Sequence, residues 1–207
     1  SDIGLVSAEG GKDIINLTNS GYMSGYPHFA LDGNAILFTT ERYGMRAHAS
    51  WGSLNDAMLV FLNQDAYDKY CLSKEDYELR KELEKEQKKS AGKDTPQGKN
   101  KDKKKKYDKK DSNADEKDDQ PKDIVVELKG IEDRVVRLTP NSSDMGSTII
   151  SKDGETLYYL AAFEGGYDLW KMNLRKKETK LLHKMDAGWA DMQLDKDGKN
   201  LFLLGSR

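Results

Sequence analysis

Three histidines, His28, His48 and His183, are the side chains best suited to acid–base chemistry in this sequence. A serine nucleophile would need such a histidine as its base, and it often lies in a Gly-x-Ser-x-Gly turn. The segment Gly21-Tyr-Met-Ser24-Gly25 has the wrong spacing for that turn. We therefore predict no catalytic residue in this chain, and we interpret the histidines as surface or packing residues.

Metal and cofactor sites also lack the spacing that they need. Cys71 is the single cysteine, so neither an internal disulfide nor a cysteine-based metal site can form. Asp195-Lys-Asp197-Gly198 resembles the start of a calcium loop, but its glycine comes two positions early and no glutamate stands at the twelfth position. We predict no metal and no cofactor, and we interpret this segment as a turn.

Asp-Gly pairs recur at Asp32-Gly33, Asp153-Gly154 and Asp197-Gly198, each between two short apolar runs. Such pairs make tight turns between strands, because glycine adopts a positive φ without steric cost. The second and third pairs are 44 residues apart, which is the length of a propeller blade. The first and second are 121 residues apart, so the first unit carries 77 residues beyond that period. We place these extra residues between Gly44 and Asp123.

Each unit reads as four short strands. Strands at this even spacing, with Gly and Asp turns, favour a radial all-β array. We predict an all-β fold, a β-propeller fragment of about three four-stranded blades, with a long, partly disordered insertion that contains a short helix. A third-and-fourth-strand pair opens the chain at Asp2–Val6 and Ile14–Thr18, and the same pattern recurs at Asp123–Leu128 and Arg134–Thr139.

These predicted strands divide the chain into complete and incomplete blades. Three blades are fewer than the four or more that close a ring, so we interpret the chain as a fragment of a larger ring. Its leading and trailing strands could pair with each other or between molecules, which leaves a homo-oligomer possible. The parts are the last two strands of a preceding blade (1–18), a full blade (19–46 plus 123–140), the insertion (47–122), a second full blade (141–184) and the first two strands of a truncated blade (185–207).

The insertion itself has three parts. Residues 47–70 should be ordered, residues 73–89 should form a helix with Ser73 as its N-cap, and residues 90–122 should be disordered. The ordered part contains an aromatic residue and an apolar run, which must be covered by the blade itself or by a neighbouring domain or bound peptide. We expect the insertion to join the second and third strands of its blade and to project from the face of the ring next to the central opening. Its candidate interaction surface consists of Trp51, Leu54, Met58 and Phe61.

The charge of the chain gives little support to nucleic-acid or membrane binding. The formal net charge is −2, so no global field favours an anionic partner. Seven lysines lie between residues 101 and 110, but interleaved aspartates dilute their field, and we interpret this segment as a solvated spacer. No stretch approaches the ~20 apolar residues of a membrane span. We therefore expect no nucleic acid and no membrane span.

The segment Tyr26-Pro-His-Phe-Ala-Leu-Asp-Gly-Asn-Ala-Ile-Leu-Phe38 resembles the blade motif shared by TolB-type propellers and the propellers of tricorn proteases, a WD40-like repeat called PD40. The usual form of that motif has Trp-Ser-Pro where this chain has Phe29-Ala30-Leu31. The stretch Gly130–Arg137 is similar to the strand that enters the last blades of tricorn-like serine peptidases. This second resemblance favours the tricorn-like family over TolB.

A tricorn-like family implies a second propeller, a PDZ domain and a serine-peptidase core elsewhere in the parent protein. The chain would then be a non-catalytic propeller segment that guides or filters peptides. Its partners would be peptide or unfolded-protein substrates and other domains of the same parent. The alternative is a TolB-like propeller that binds a partner protein and has no peptidase. The scarcity of cysteine and the family resemblance favour an exported, periplasmic bacterial location.

Overall fold

The computed structural model describes residues 1–11, 13–46, 52–91 and 123–206. Within these ranges the chain is mostly β-structure, with two α-helices and one 3-10 helix at Ile131–Arg134. The α-helices are α1 (Gln64–Cys71) and α2 (Lys74–Ala91). The strands are β1 (Gly4–Leu5), β2 (Ile15–Asn16), β3 (Ser24–Ala30), β4 (Ala35–Thr40), β5 (Asp56–Phe61), β6 (Val135–Arg137), β7 (Asp144–Ile150), β8 (Thr156–Ala162), β9 (Tyr167–Asn173), β10 (Glu178–Ala187), β11 (Trp189–Leu194) and β12 (Leu201–Ser206).

These strands form four antiparallel sheets in the described part of the chain. The first blade is β3-β4-β5-β6 and the second blade is β7-β8-β9-β10, each with its strands in chain order. A leading half-blade, β1-β2, precedes them, and a trailing half-blade, β11-β12, follows. Within each sheet, strands that follow one another in the chain lie side by side and run antiparallel, as they do in propeller blades. The prediction of an all-β, propeller-like fragment is confirmed.

Apolar side chains fill the space between each pair of neighbouring sheets. Leu37 and Leu59 of the first blade pack with Leu157 of the second blade, whereas Phe38 and Met58 pack with the leading half-blade. A third cluster joins the second blade to the trailing half-blade. Alternate residues of a strand point to opposite faces, so β4 and β5 must be apolar on both faces. All twelve of their residues are buried, which is the packing of blades side by side.

The third strand of the first blade is β5, and our prediction of a third strand at Asp123–Leu128 is wrong. A third strand is covered on both faces by neighbouring blades, and β5 supplies six buried residues for that position. The segment 123–128 is not a strand, and its side chains Ile124 and Val125 are exposed. The predicted fourth strand at Arg134–Thr139 is present as β6, which pairs with β5.

A buried hydrogen-bonded group, which we call the Asp–Thr clasp, fixes the start of β5. The hydroxyl of Thr139 donates to Asp56 Oδ1 at 2.9 Å and accepts the backbone N–H of Ala57 at 3.2 Å. Asp56 also accepts from Arg137 at 2.8 Å and from the Ser142 hydroxyl at 2.8 Å. Because the carboxylate is fully buried, each of these donors offsets part of its desolvation. The clasp thereby ties β5 to the segment after β6.

The same clasp is present in the leading half-blade. The Thr18 hydroxyl donates to Asp2 Oδ1 at 2.9 Å and accepts the N–H of Ile3 at 3.1 Å. In the second blade, Asp168 accepts the N–H groups of Met185 and Asp186 at 2.7 and 2.9 Å. Asp2 therefore occupies the place of Asp56 in the first blade, at the start of a third strand. The leading half-blade consists of the third and fourth strands of a blade.

The insertion lies between the third and fourth strands of the first blade, since β5 ends at Phe61 and β6 begins at Val135. We predicted it between the second and third strands, and this placement is wrong. Successive strands run in opposite directions, so a third-to-fourth connection leaves from the end of the blade that carries the Asp-Gly turns. That end is opposite to the one we expected. The second-to-third connection is separate and covers residues 41–55, and in its described part a bridge joins Arg46 to Ser53.

The insertion begins with the short helix α1, which the residue patterns of the sequence do not predict. Asn63 caps it, because its side chain accepts the N–H of Ala66 at 2.9 Å. The rings of Tyr67 and Tyr70 pack on Phe61, with centroid distances of 5.6 and 5.1 Å. Residues 52–70 of the segment that we predict to be ordered contain β5 and most of α1, while residues 47–51 lie outside the described ranges.

The C-terminal end of α1 is fixed by one arginine of the second blade. Arg175, in the turn between β9 and β10, donates to the carbonyl oxygens of Tyr70 and Lys69 at 2.7 and 3.1 Å. Lys177 donates to the Tyr70 hydroxyl at 2.7 Å. Cations at a helix C-terminus satisfy carbonyl groups that have no partner within the helix. We call this contact the Arg175 anchor.

From residue 75 onward, the described part of the insertion belongs to a second unit of the chain. The predicted helix over residues 73–89 is present there as α2, and Arg80 pairs with Glu84 at 3.3 Å. Residues 92–122 lie outside the described ranges, and they contain the lysine-rich part of the insertion that we predict to be disordered. Neither described helix combines the length and apolar character needed to cross a membrane.

Candidate functional site: the cleft along the inner strands

A cleft of about 530 Å³ runs between the first strands of three successive sheets. These inner strands are β3, β7 and β11, and in a propeller the inner strands face the central channel. His28 and Phe29 contribute to the cleft from β3, Ser147 from β7 and Asp191 from β11. The cleft is therefore assembled from three sheets, and no single repeat contains it.

The polar centre of the cleft is a hydrogen bond between two blades. The Ser147 hydroxyl donates to Asp191 Oδ1 at 2.7 Å. This bond is the main reason why the pKa of Asp191 lies below its ordinary value; the N–H of Met192 and the nearby His28 lower it further. Asp191 thus holds an accessible negative charge on the channel side of the sheets.

This arrangement does not match a serine nucleophile with its base. In a serine hydrolase the hydroxyl donates to an imidazole, which a carboxylate orients from the other side. Here the Ser147 hydroxyl donates directly to the carboxylate, so its proton points at Asp191 and not at an imidazole. Ser147 and Asp191 are suited to hydrogen bonding and charge recognition, because the carboxylate retains an exposed oxygen for a donor from a ligand.

Two exposed aromatic residues lie on β3, and one of them, Phe29, lines the cleft. Phe29 is 62% exposed and Tyr26 is 78% exposed, although both belong to a strand. Tyr26 lies at the irregularity of β3 between Gly25 and His28, with a φ of 54°. A bulge of this kind redirects a side chain out of the regular alternation of a strand. The inner strands therefore offer apolar contact area next to a carboxylate.

A second tyrosine, at the start of β9, forms a hydrogen bond with β7. Tyr167 donates its hydroxyl to Asp144 Oδ1 at 2.9 Å. Burial, the hydrogen bond to Asp144 and its charge raise the pKa of Tyr167 to about 12. Tyr167 therefore stays neutral at physiological pH and acts as a rigid donor that orients Asp144.

Two of the four residues of the predicted interaction surface are buried in the first blade. Met58 and Phe61 are 2% and 0% exposed, so the blade itself covers them, the first of the two alternatives above. Leu54 is half-buried in the loop before β5 and donates its N–H to the carbonyl of Met45 at 3.1 Å. Trp51 lies outside the described residues. The interaction surface of these four residues stays a prediction. Of the three described residues, Leu54 is half-buried and the other two have almost no exposed area.

The remaining candidates for chemistry are dispersed. His28 lies in the inner cleft, His183 lines a separate cleft of about 270 Å³ between β10 and β12, and His48 lies outside the described residues. Cys71 is exposed at the end of α1. Among the described residues, no three His, Cys, Asp or Glu side chains are grouped closely enough to hold a metal ion.

Sequence reasoning missed Ser147 and Asp191, although the repeat contained a signal for them. The two residues are 44 positions apart, which is one repeat length. Residues one repeat apart occupy equivalent places in neighbouring blades, where their side chains can meet across the inner edge. Pairs of hydrogen-bonding residues at the repeat spacing therefore indicate contacts between blades.

Comparison with known proteins supports the fold and adds no activity. No family model matches the chain, and no curated protein matches it. The crystal structure of TolB from Acinetobacter baumannii aligns with 93% of this chain at 12% identity and a TM-score of 0.48. The crystal structure of the tricorn protease aligns with 99% of this chain at 9% identity and a TM-score of 0.52. The chain spans 29% of the TolB chain and 18% of the tricorn protease chain. The likeness to the tricorn protease shows that the chain has a propeller-like fold.

Proposed function

We propose that this chain is a non-catalytic β-propeller segment that binds extended polypeptide along its inner strands. In this proposal it belongs to a tricorn-like serine endopeptidase and guides or filters substrates toward a peptidase domain outside these 207 residues. The observation that carries the proposal is the inner cleft, where the exposed Phe29 lies beside the Ser147–Asp191 pair. The blade motif and the Gly130–Arg137 stretch support the choice of family.

The chemistry of the cleft favours an unfolded polypeptide over a small molecule. Its contact residues come from three sheets and form an open cleft, which offers apolar area and hydrogen-bond acceptors without a closed pocket. A peptide could place an apolar side chain on Phe29 and a backbone or lysine N–H on Asp191. Such contacts are general, so we expect broad selectivity with a preference for cationic and apolar segments.

A TolB-like module that binds a folded partner is the second candidate. The observation in its favour is the exposed apolar stripe of α2, where Leu79 and Leu83 are one helical turn apart and both exposed. An amphipathic helix of this kind is a common docking element for another protein. This candidate predicts that removing the stripe weakens partner binding, and that the inner strands are not needed.

Fluorescence anisotropy with a labelled, permanently unfolded polypeptide tests the first candidate. We expect Phe29→Ser to weaken binding roughly tenfold or more, because the ring loses its contact area with the peptide. Met45→Ser is the matched control, since Met45 is also an exposed apolar residue, at 77% against 62% for Phe29, but lies in the second-to-third connection. Equal affinities for the two variants and the unmodified chain would contradict binding at the inner strands. Loss of binding in a variant with Leu79→Ser and Leu83→Ser would instead favour the second candidate.

A further inference from the structure

The second-to-third connection of the first blade is longer than a blade requires. It covers residues 41–55, whereas the equivalent connection of the second blade covers only residues 163–166. Both connections join a second strand to a third strand, so the shorter one is sufficient for the turn. A connection well beyond the usual few residues is uncommon in a compact domain and often carries function. The extra length in the first blade therefore needs an explanation other than strand connection.

The described part of this connection is held in one conformation. A Cβ atom on Gly44 would lie 1.7 Å from the carbonyl oxygen of Leu54, so only glycine allows the two segments to approach this closely. Asn55 donates its N–H to the carbonyl of Ser143 at 2.8 Å and accepts the N–H of Ser143 at 3.1 Å. A surface that is ordered before binding loses less conformational entropy when a ligand binds.

Guanidinium groups lie close to tyrosine rings at this end of the first blade. The guanidinium groups of Arg42 and Arg137 lie 5.5 and 5.0 Å from the centroid of the Tyr43 ring. The guanidinium group of Arg46 lies 6.0 Å from the centroid of the Tyr22 ring. Such cation–π contacts orient a guanidinium group and leave its N–H donors available to a ligand. We call these five residues the Arg–Tyr patch.

Two of the three positive charges in the Arg–Tyr patch are uncompensated. Arg137 forms an ion pair with Asp56 at 2.8 Å. Arg42 and Arg46 are exposed, and neither has an ion pair with a carboxylate in the described part of the chain. The patch therefore presents two free guanidinium groups next to tyrosine rings, of which Tyr43 is 47% exposed.

We propose that the Arg–Tyr patch binds an acidic segment of a partner protein, with aspartate or glutamate side chains next to an apolar residue. Guanidinium groups form charge-assisted, often bidentate hydrogen bonds with carboxylates, and a neighbouring tyrosine ring offers contact area to an apolar side chain. Arginine and tyrosine are also the residue types that contribute most at protein interfaces. The net charge of −2 opposes the extended field of a nucleic acid, which favours a short acidic segment as the ligand.

This site is independent of the proposed function and has the opposite charge preference. The inner cleft holds the carboxylate of Asp191, so it favours cationic segments. The Arg–Tyr patch lies on a connection between strands and favours anionic segments. The two sites can therefore be separated by the charge of the peptide that each one binds.

Fluorescence anisotropy tests the proposal with a labelled peptide of glutamate, leucine and serine residues. We expect the double variant Arg42→Gln and Arg46→Gln to bind it roughly tenfold or more weakly, because the carboxylates lose their charged donors. The matched control is Lys152→Gln with Lys199→Gln, since it removes two exposed positive charges next to the Asp-Gly turns. We expect the control to bind with the affinity of the unmodified chain.

Variants of Tyr43 test the aromatic part of the Arg–Tyr patch. Tyr43→Phe keeps the ring and should retain the affinity for the glutamate peptide, whereas Tyr43→Ser should weaken binding several-fold. Phe29→Ser should leave this affinity unchanged, because Phe29 lies in the inner cleft. A loss of affinity in Phe29→Ser would place the acidic peptide in the inner cleft and overturn the proposal.

Three further results would overturn the proposal. The first is equal affinity of the arginine and lysine double variants for the glutamate peptide. The second is equally tight binding of the same peptide with lysine in place of glutamate. The third is tighter binding of a single-stranded oligonucleotide than of the glutamate peptide at the same salt concentration, which would assign the patch to nucleic acid.

Discussion

Burial decides what an aspartate does in this chain. Asp56 is fully buried and accepts hydrogen bonds from three side chains, so its carboxylate is used entirely within the first blade. Asp191 is exposed and accepts from Ser147, so it retains acceptor capacity toward the cleft. Two residues of one type are thus a structural element and a candidate binding group.

Asp56→Ala should destabilise the chain by about 2–3 kcal/mol, because three donors lose a charged acceptor in a buried place. Asp2→Ala removes the equivalent carboxylate from the exposed leading half-blade, so we expect a smaller loss there. Urea unfolding at pH 7 measures both losses. Equal losses in the free energy of unfolding for the two variants would contradict this, because burial of the clasp would then add nothing to its stabilising effect.

Asp191 gives the fold a dependence on acid pH. Its pKa in the folded chain is below the ordinary value of 3.8, so its contribution to stability is present above that value and is lost as the pH falls through the lowered pKa. Ser147→Ala removes the main cause, and we expect the pKa of Asp191 to rise toward the ordinary value. Titration of the Asp191 carboxyl by NMR tests this, and an unchanged pKa in the variant would contradict the assigned hydrogen bond.

At the scale of elements, the insertion is fixed at its beginning by contacts with two blades. α1 packs its tyrosine rings on Phe61 of the first blade, and the Arg175 anchor holds its C-terminal carbonyl groups from the second blade. A helix of eight residues is too short to be stable by itself. These contacts are therefore what keeps α1 folded.

Arg175→Ala should loosen α1 while leaving the blades intact, because it removes the donors that satisfy the helix C-terminus. We expect faster amide exchange across Gln64–Cys71 and unchanged exchange in β4 and β8. Lys176→Ala is the control, since Lys176 is an exposed neighbour in the same turn. Unchanged exchange in α1 of the Arg175 variant would mean that the tyrosine packing suffices.

The repeat in the sequence predicts the blades well and the insertion poorly, for a physical reason. The turn positions are correct because glycine at a positive φ is required there, and Gly33, Gly154 and Gly198 have φ values of 82°, 73° and 69°. The prediction of a third strand at Asp123–Leu128 is wrong because it rests on Asp123-Ile124, which has the same two residue types as Asp2-Ile3. Strand identity in a blade depends on apolar residues at both faces and on the clasp, and β5 has both.

At the scale of the whole molecule, the candidate site exists only through the arrangement of sheets. The repeat spacing of Ser147 and Asp191 could have been recognised from the sequence, whereas the nearness of His28 depends on how β3 bends at its irregularity. The cleft therefore follows from the propeller architecture and not from any single motif.

In the proposed function, unfolded polypeptide lies along the inner strands of this propeller segment. Photo-cross-linking with an unfolded polypeptide that carries a photoreactive group, followed by mass spectrometry of the adducts, shows where it binds. We expect adducts on β3, β7 and β11, with those near Phe29 and Asp191 reduced by competing unlabelled polypeptide. Adducts confined to α2, to the outer strands or to the loop before β5 would contradict it.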